Sequence, residues 1–146
     1  KDSHIGSYGV IGLIGYFLLL IQVGKLPLEV LCTIVFCGDS WSKFCVSQLI
    51  NVLPYARKEE DSKAKVIYNR MTLAEWLTSF IGGIAPLTIF LPMQLWLAAI
   101  FPILTFSLLY LLMKQRLQGY TGDCCGAAFL LCELSFLLGS LGILYY

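Results

Sequence analysis

The sequence predicts an all-α fold: a polytopic, membrane-embedded helical bundle with five or six crossings. Three observations predict it. Apolar residues make up 58% of the 146 residues and charged residues only 13%, against roughly a half and a quarter in a soluble domain. That excess cannot be hidden in so small a core, because a domain of ~150 residues still exposes roughly a third of its unfolded surface. The mean hydropathy is +0.80, and the apolar residues fall into long runs divided by short polar turns, as a chain solvated by lipid requires. The net charge of +1 gives no argument for a nucleic-acid partner.

Taken in order, Asp2 to Gly9 is a polar, glycine-bearing lead-in. Tyr8–Val23 is apolar apart from Gln22. It falls a little short of the ~20 residues of a spanning helix, and Tyr8 and a snorkelling Lys25 extend its ends. Gly9, Gly12 and Gly15 recur at every third position, a spacing that lets a neighbouring helix approach closely or leaves an unpartnered stripe. Leu26–Tyr55 reads as one crossing broken at Gly38-Asp39-Ser40, or as two half-helices, with Leu26-Pro27-Leu28 suited to a helix start. Broken backbone at membrane depth survives only inside protein or beside a polar cavity. Asp39, Lys43, Gln48 and Asn51 are therefore expected to face the bundle interior, with Lys43 pairing Asp39 at i, i+4.

Ala56–Arg70 is the one clearly soluble segment, a wet loop or short surface helix of mixed charge. Its Arg57, Lys63, Lys65 and Arg70 can also act as phosphate contacts. Leu73–Phe90 is the next apolar run, with Glu75 near its start and Gly82-Gly83 in its middle. Leu91-Pro92-Met93 reverses the chain, Gln94–Met113 crosses again, and Lys114-Gln115-Arg116 ends that crossing. Cys124–Tyr146 is the last span, with Glu133 inside it and Tyr145-Tyr146 as an aromatic interface anchor.

Spans counted this way put Lys1, the Arg57–Arg70 loop and Lys114–Arg116 on one side and Lys25 on the other. The positive-inside rule makes the first side cytoplasmic. The same arithmetic carries Asp2, the basic loop and Asp123 to one membrane face. The six cysteines include no Cys-x-x-Cys pair and the chain has one His, so zinc-site spacing is absent and the thiols read as small hydrophobes.

The stretch Arg116 to Glu133, a glycine-punctuated turn between two apolar runs, is the expected working end. A carboxylate at mid-bilayer costs about 2.5–3.5 kcal/mol, which favours a functional reason for Asp123 and Glu133. Asp2 and Asp123, at helix ends beside glycines, suit Mg²⁺, a cation that takes hard oxygen ligands and retains water. Gly119, Gly122 and Gly126 let backbone N–H groups approach a phosphate. Thr121 is placed to cap the last helix or to donate to a phosphate oxygen. Together these fit phosphoryl transfer, in which the protein mainly positions groups and neutralises charge. The plain alternative is Asp123 as a helix N-cap, stabilised by the helix dipole. No P-loop, dinucleotide fingerprint or Ser-His-Asp pattern is present.

Three blocks resemble the C-terminal part of the cobalamin synthase (adenosylcobinamide-GDP ribazoletransferase) family. They are Lys1-Asp2-Ser3-His4-Ile5-Gly6-Ser7-Tyr8-Gly9; Cys37-Gly38-Asp39-Ser40-Trp41-Ser42-Lys43-Phe44 with Pro54-Tyr55-Ala56-Arg57 and Asp61-Ser62-Lys63-Ala64-Lys65; and Gly119-Tyr120-Thr121-Gly122-Asp123-Cys124 with Gly126-Ala127 and Glu133. The resemblance implies a Mg²⁺-dependent, multi-pass enzyme of the bacterial inner membrane with its active face in the cytoplasm. It implies that α-ribazole, or its 5′-phosphate, is joined to adenosylcobinamide-GDP with release of GMP. A ribose hydroxyl would attack the phosphorus attached to cobinamide and expel GMP in line. Mapped onto this chain, Asp2 and Asp123 are the implied catalytic and metal-binding residues. Ser3, Gly6, Arg57, Lys63, Lys65, Tyr120, Thr121 and Gly122 are the implied substrate contacts.

The chain departs from the family at Gln118, where Gly is usual, at Cys125, where Leu is usual, and at Phe129 and Leu130, where Gln-Gln is common. An acidic block rich in Asp-Gly precedes the first block in the family and is absent here. Residues 1–146 are therefore expected to form a single membrane-embedded domain, a fragment lacking the N-terminal acidic-motif helices, and inactive alone if that block holds the metal. The expected surroundings are a lipid bilayer and, at most, a homo-oligomer. Two rival readings remain: a CDP-alcohol phosphatidyltransferase, whose Asp-x-x-Asp-Gly-x-x-Ala-Arg signature is not seen, and a small transporter or interaction subunit using Glu29, Asp39, Lys43, Glu75 and Glu133 as a polar track.

Overall fold

The computed structural model describes residues 6–56 and 70–145. The described elements are α1 (Ser7–Val23), α2 (Leu28–Ser47), α3 (Leu49–Val52), α4 (Leu73–Phe90), a 3-10 segment (Met93–Ala99), α5 (Ile100–Arg116) and α6 (Gly122–Tyr145). Four stretches are long and apolar enough to cross a membrane, namely Leu28–Val52, Leu73–Phe90, Met93–Arg116 and Gly122–Tyr145, and Gly9–Val23 is a shorter apolar helix. The protein is an all-α membrane bundle whose described residues supply four long spans and one shorter one. Large apolar side chains on its outer face, such as Ile11, Leu18, Leu104 and Leu108, are exposed, as lipid-facing residues are. Several hydroxyls within the spans return to carbonyls of their own helix: Ser40 donates to Phe36, Thr78 to Ala74 and Ser107 to Ile103, at 2.8–3.0 Å. Lipid offers these groups no other partner.

The expected break at Gly38-Asp39-Ser40 does not occur. α2 runs unbroken from Leu28 to Ser47 and interrupts only at Gln48. Packing explains the glycine: a Cβ on Gly38 would lie 2.6 Å from Cδ1 of the fully buried Phe136 on α6. The helix gives up the propensity of a larger residue to let α6 come close. Gly83 does the same for α2 and α4, where an added Cβ would meet the Phe44 Cβ at 2.7 Å. We expect Gly38→Leu to destabilise the bundle by 1–3 kcal/mol or more, the range of about that size seen for overpacked cores. Thermal unfolding in detergent should show a lowered midpoint. Gly82→Leu, where nothing lies within 4 Å of the added Cβ, should leave it unchanged.

The core has two halves. Val23, Ile34, Cys37, Trp41, Leu91, Leu95 and Phe136 fill one, and Val46, Leu49, Leu53, Met113, Tyr120 and Ala128 fill the other. Phe106 on α5 packs against both; between α2 and α4, Phe44 meets Phe80 at 5.3 Å, and Phe80 stacks on Trp76 at 5.3 Å. α4 begins where the sequence places it, on a capping box in which the Thr72 N–H donates to Glu75 Oε2 at 2.7 Å and the Glu75 N–H to Thr72 Oγ1 at 3.4 Å.

The expected helix Gln94–Met113 is corrected at its start, since Met93–Ala99 winds as 3-10 and α geometry begins at Ile100. Pro102 accounts for this, because a proline without an N–H is tolerated in the first turn of an α-helix but not deeper. Trp41 Nε1 donates to the Ala99 carbonyl at 2.9 Å and closes the junction. Two buried thiols also serve proline carbonyls, Cys37 on Pro86 at 3.3 Å and Cys132 on Pro102 at 3.6 Å.

Candidate functional site

One end of the bundle gathers the start of α1, the end of α2 and α3, the start of α4, the end of α5 and the start of α6. The Gly119–Asp123 turn sits there, fastened to the chain that leaves α3. The Tyr120 N–H donates to the Pro54 carbonyl at 3.0 Å, and the Ala56 N–H donates to the Tyr120 carbonyl at 2.9 Å. These bonds make a parallel bridge between Tyr55 and Tyr120, whose rings meet edge to face at 5.5 Å. Gly119 allows it: a Cβ there would lie 2.6 Å from the Pro54 carbonyl oxygen. Two of the sequence blocks that carry the family resemblance are thus joined in space.

Gln118 is in the left-handed region at φ 53°, the conformation that favours the Gly usual in the family at that position. A left-handed non-glycine costs roughly 1–2 kcal/mol, and glycine returns about 0.5–1 kcal/mol of unfolded-state freedom. We expect Gln118→Gly to raise stability by about 0.5–1 kcal/mol net, read as an upward shift of the unfolding midpoint in detergent.

Thr121 is the cap of α6. Its Oγ1 accepts from the Cys124 N–H at 3.3 Å and donates to Cys124 Sγ at 3.2 Å, and its carbonyl accepts from the Cys125 N–H at 3.0 Å. Thr121, not Asp123, therefore fills the capping role, and Asp123 stands exposed in the first turn, where the helix dipole favours an anion. An added Cβ on Gly122 meets nothing within 4 Å among the described residues. Tyr120 is buried and supports the turn from beneath. Gly6 begins α1, and its carbonyl accepts from the Gly9 N–H at 2.8 Å. Tyr16, further along α1, lies within electrostatic reach of Glu133 on α6. Val23, at the end of α1, is buried with Phe136 and Leu137 far along α6, so α1 runs parallel to α6 with Gly6 toward the Gly122 end. Asp2, Ser3, Arg57, Lys63 and Lys65 lie outside the described residues.

A second tie holds the start of α4 to the same end. Asn51 Oδ1 accepts from the Met71 N–H at 2.9 Å, Gln48 Oε1 from Trp76 Nε1 at 3.0 Å, and Asn51 Nδ2 donates to Gln48 Oε1 at 3.1 Å. Gln48 and Asn51 thus occupy the interior, as expected. Asp39 and Lys43 do form the expected pair at 2.8 Å, but their side chains are 34% and 63% exposed. The buried stripe of α2 is taken by Gly38, Trp41, Ser42, Cys45 and Val46, which turns the ion pair to one side. Lys43 reaches over the Phe129 ring at 5.6 Å, and Glu133 lies within electrostatic reach of both Asp39 and Lys43.

Beside the turn is a cavity of about 320 Å³ lined by Val46, Ser47, Ile50, Tyr120, Gly122 and Cys125. Among the described residues no three His, Cys, Asp or Glu side chains gather as a metal cluster. A single exposed carboxylate at the rim still fits Mg²⁺, which keeps its waters and takes one or two carboxylates together with substrate phosphates. Sequence reasoning missed the Tyr55–Tyr120 pairing and the Asn51–Met71 tie. Both join segments distant in the chain, and no local pattern marks them.

A family model described as cobalamin-5-phosphate synthase matches residues 1–141. The chain is 33% identical over 158 residues to the adenosylcobinamide-GDP ribazoletransferase of Shewanella woodyi, covering 97% of this chain and 57% of the relative. It is 32% identical over 163 residues to the enzyme of that name from Leptothrix cholodnii, covering 100% of this chain and 59% of the relative. The Polaromonas protein of that name is 29% identical over 160 residues, covering 95% and 57%. The chain therefore spans little more than half the length of these curated relatives. No solved structure matches it.

Proposed function

Because the chain belongs to the cobalamin-5-phosphate synthase family, we propose that it carries the ribazoletransferase activity for which its relatives are named. A hydroxyl oxygen of α-ribazole, or of its 5′-phosphate, bonds to the phosphorus attached to cobinamide. The bond from that phosphorus to the bridging oxygen breaks, GMP leaves with it, and the hydroxyl proton passes to solvent. The observation that carries the reading is the parallel bridge between Tyr55 and Tyr120. It holds the Gly122-Asp123 turn against residues 54–56, which directly precede the basic segment in the sequence.

This chain's residues do the positioning. Tyr120 and Gly119 fix the turn, Thr121 caps α6 and aims its first-turn N–H groups at the rim, and Asp123 offers a hard oxygen there. Mg²⁺, when bound, neutralises charge on the phosphates and the departing GMP, and Asp123 with Asp2 would hold it. Arg57, Lys63 and Lys65 would contact phosphate, and Ser3, Gly6 and Gly122 would line the approach. Arg70, Lys114 and Arg116 at this end against Lys25 at the other support a cytoplasmic active face in the inner membrane.

The test uses two proteins in lipid nanodiscs: this chain, and a chimaera joining it to the part of the Shewanella woodyi relative that it does not match. Adenosylcobinamide-GDP, α-ribazole and Mg²⁺ should yield GMP and the joined corrinoid from the chimaera. No GMP from either protein, while the intact relative produces it, would defeat the reading.

A further inference from the structure

A membrane span seldom carries an ion pair on a half-exposed flank, yet α2 does. Glu133 lies about 16 Å along α6 from Gly122 at roughly 1.5 Å per residue, close to the middle of a hydrocarbon core about 30 Å thick. Lys43 and Asp39 on α2 lie within its electrostatic reach, Lys43 with 63% of its side chain exposed. Charges at that depth face a polar cavity or a polar occupant rather than lipid. The cavity by the turn lies between the same two helices, its lining ending at Ser47 and Cys125. Its wall on α2 includes Ser47, and one and two turns further in along the same stripe are Lys43 and Asp39. Its wall on α6 includes Cys125, and one and two turns further in are Phe129 and Glu133. Lys43 Nζ lies 5.6 Å from the Phe129 ring centre, so the two stripes face each other one turn beyond the cavity.

We propose that this α2/α6 groove is a binding subsite for the amide-bearing corrin body of the substrate, an inference that rests on the function proposed above. An ammonium donates to amide carbonyls, and carboxylates accept from amide N–H groups. Lys43 flanked by Asp39 and Glu133 therefore offers both halves of what a primary carboxamide needs. The Phe129 ring and the apolar wall at Val46 and Ile50 suit the hydrocarbon of a macrocycle. Because the groove starts at Gly122, a corrin body seated in it leaves its phosphate-bearing arm at the Asp123 rim.

The test titrates the chain in nanodiscs with cobinamide lacking any nucleotide, followed by corrin absorbance in equilibrium dialysis, and separately with GDP. Lys43→Met and Glu133→Gln are each expected to weaken cobinamide binding tenfold or more and to leave GDP binding unchanged, and Lys43→Arg should restore the former. Failure of the wild-type chain to hold cobinamide, or unchanged binding in Lys43→Met and Glu133→Gln, would overturn the proposal. Should Lys43→Met fail to insert, Glu133→Gln with its unfolding midpoint as a check carries the test alone. GMP formation separates the two readings. Full activity of the chimaera with an unchanged KM for adenosylcobinamide-GDP in both variants removes the groove and keeps the function. Cobinamide binding lost in the variants, with no GMP from the unmodified chimaera, removes the function and keeps the groove.

Discussion

Asp123→Asn in the active chimaera is expected to lower the rate of GMP release by roughly 10²–10³-fold at saturating substrates, since charge neutralisation by a properly held metal is worth several kcal/mol and each 1.36 kcal/mol is about tenfold in rate. The cap of α6 should not change. Asp123 is exposed, and the cap of α6 is made by Thr121. Asparagine keeps the size and much of the hydrogen bonding of aspartate but is a poorer ligand for a hard cation. Raising the Mg²⁺ concentration should therefore recover part of the lost rate, whereas a purely structural fault would not respond. Equal rates for wild type and Asp123→Asn across a Mg²⁺ titration would remove Asp123 from the site.

The second large effect is expected from Gly119→Val. The added Cβ would lie 2.6 Å from the Pro54 carbonyl oxygen and 3.0 Å from the Ala56 Cβ. The first of these is backbone and cannot rotate away. The chain must open the bridge, losing two hydrogen bonds worth about 0.5–1.5 kcal/mol each, and Tyr120 must leave its buried place. We expect a loss of about 2–4 kcal/mol once the displaced packing is added, concentrated at this end of the bundle. Hydrogen exchange should show faster exchange at the Tyr120 and Ala56 amides with little change around Phe136 in the other half of the core. Activity in the chimaera should fall with it, because the turn that carries Asp123 would no longer be held against Pro54–Ala56. Unchanged exchange at Tyr120 would show that the bridge does not hold the turn.

Much of the fold was legible because lipid simplifies the pattern. Leu73–Phe90 emerged at the residues where its apolar run begins and ends, helped by the Thr72 and Glu75 capping box. Leu26–Tyr55 was harder. Gly38 looks like a breaker when only its neighbours in the chain are considered, and its reason is Phe136, on another helix. The 3-10 start of the third long span followed from Pro102, a signal present in the sequence but easily read as part of a continuous apolar run. At the site, the glycines and Asp123 could be picked out by composition and spacing. Their partner segment, residues 54–56, could not, because a two-bond bridge leaves no periodicity. The strained Gln118 was visible only as a departure from a family pattern, and its backbone angle supplies the physical reason.

The distribution of the thiols has a practical consequence. Cys37, Cys45 and Cys132 are sealed in the core, Cys32 is exposed near the start of α2, and Cys124 and Cys125 are partly accessible at the opposite end. A small, membrane-permeant alkylating probe should therefore tag the unmutated protein at its two extremities and spare its centre. Paramagnetic or fluorescent reporters placed this way would follow the span between the rim and the far leaflet as a ligand enters, without an engineered cysteine.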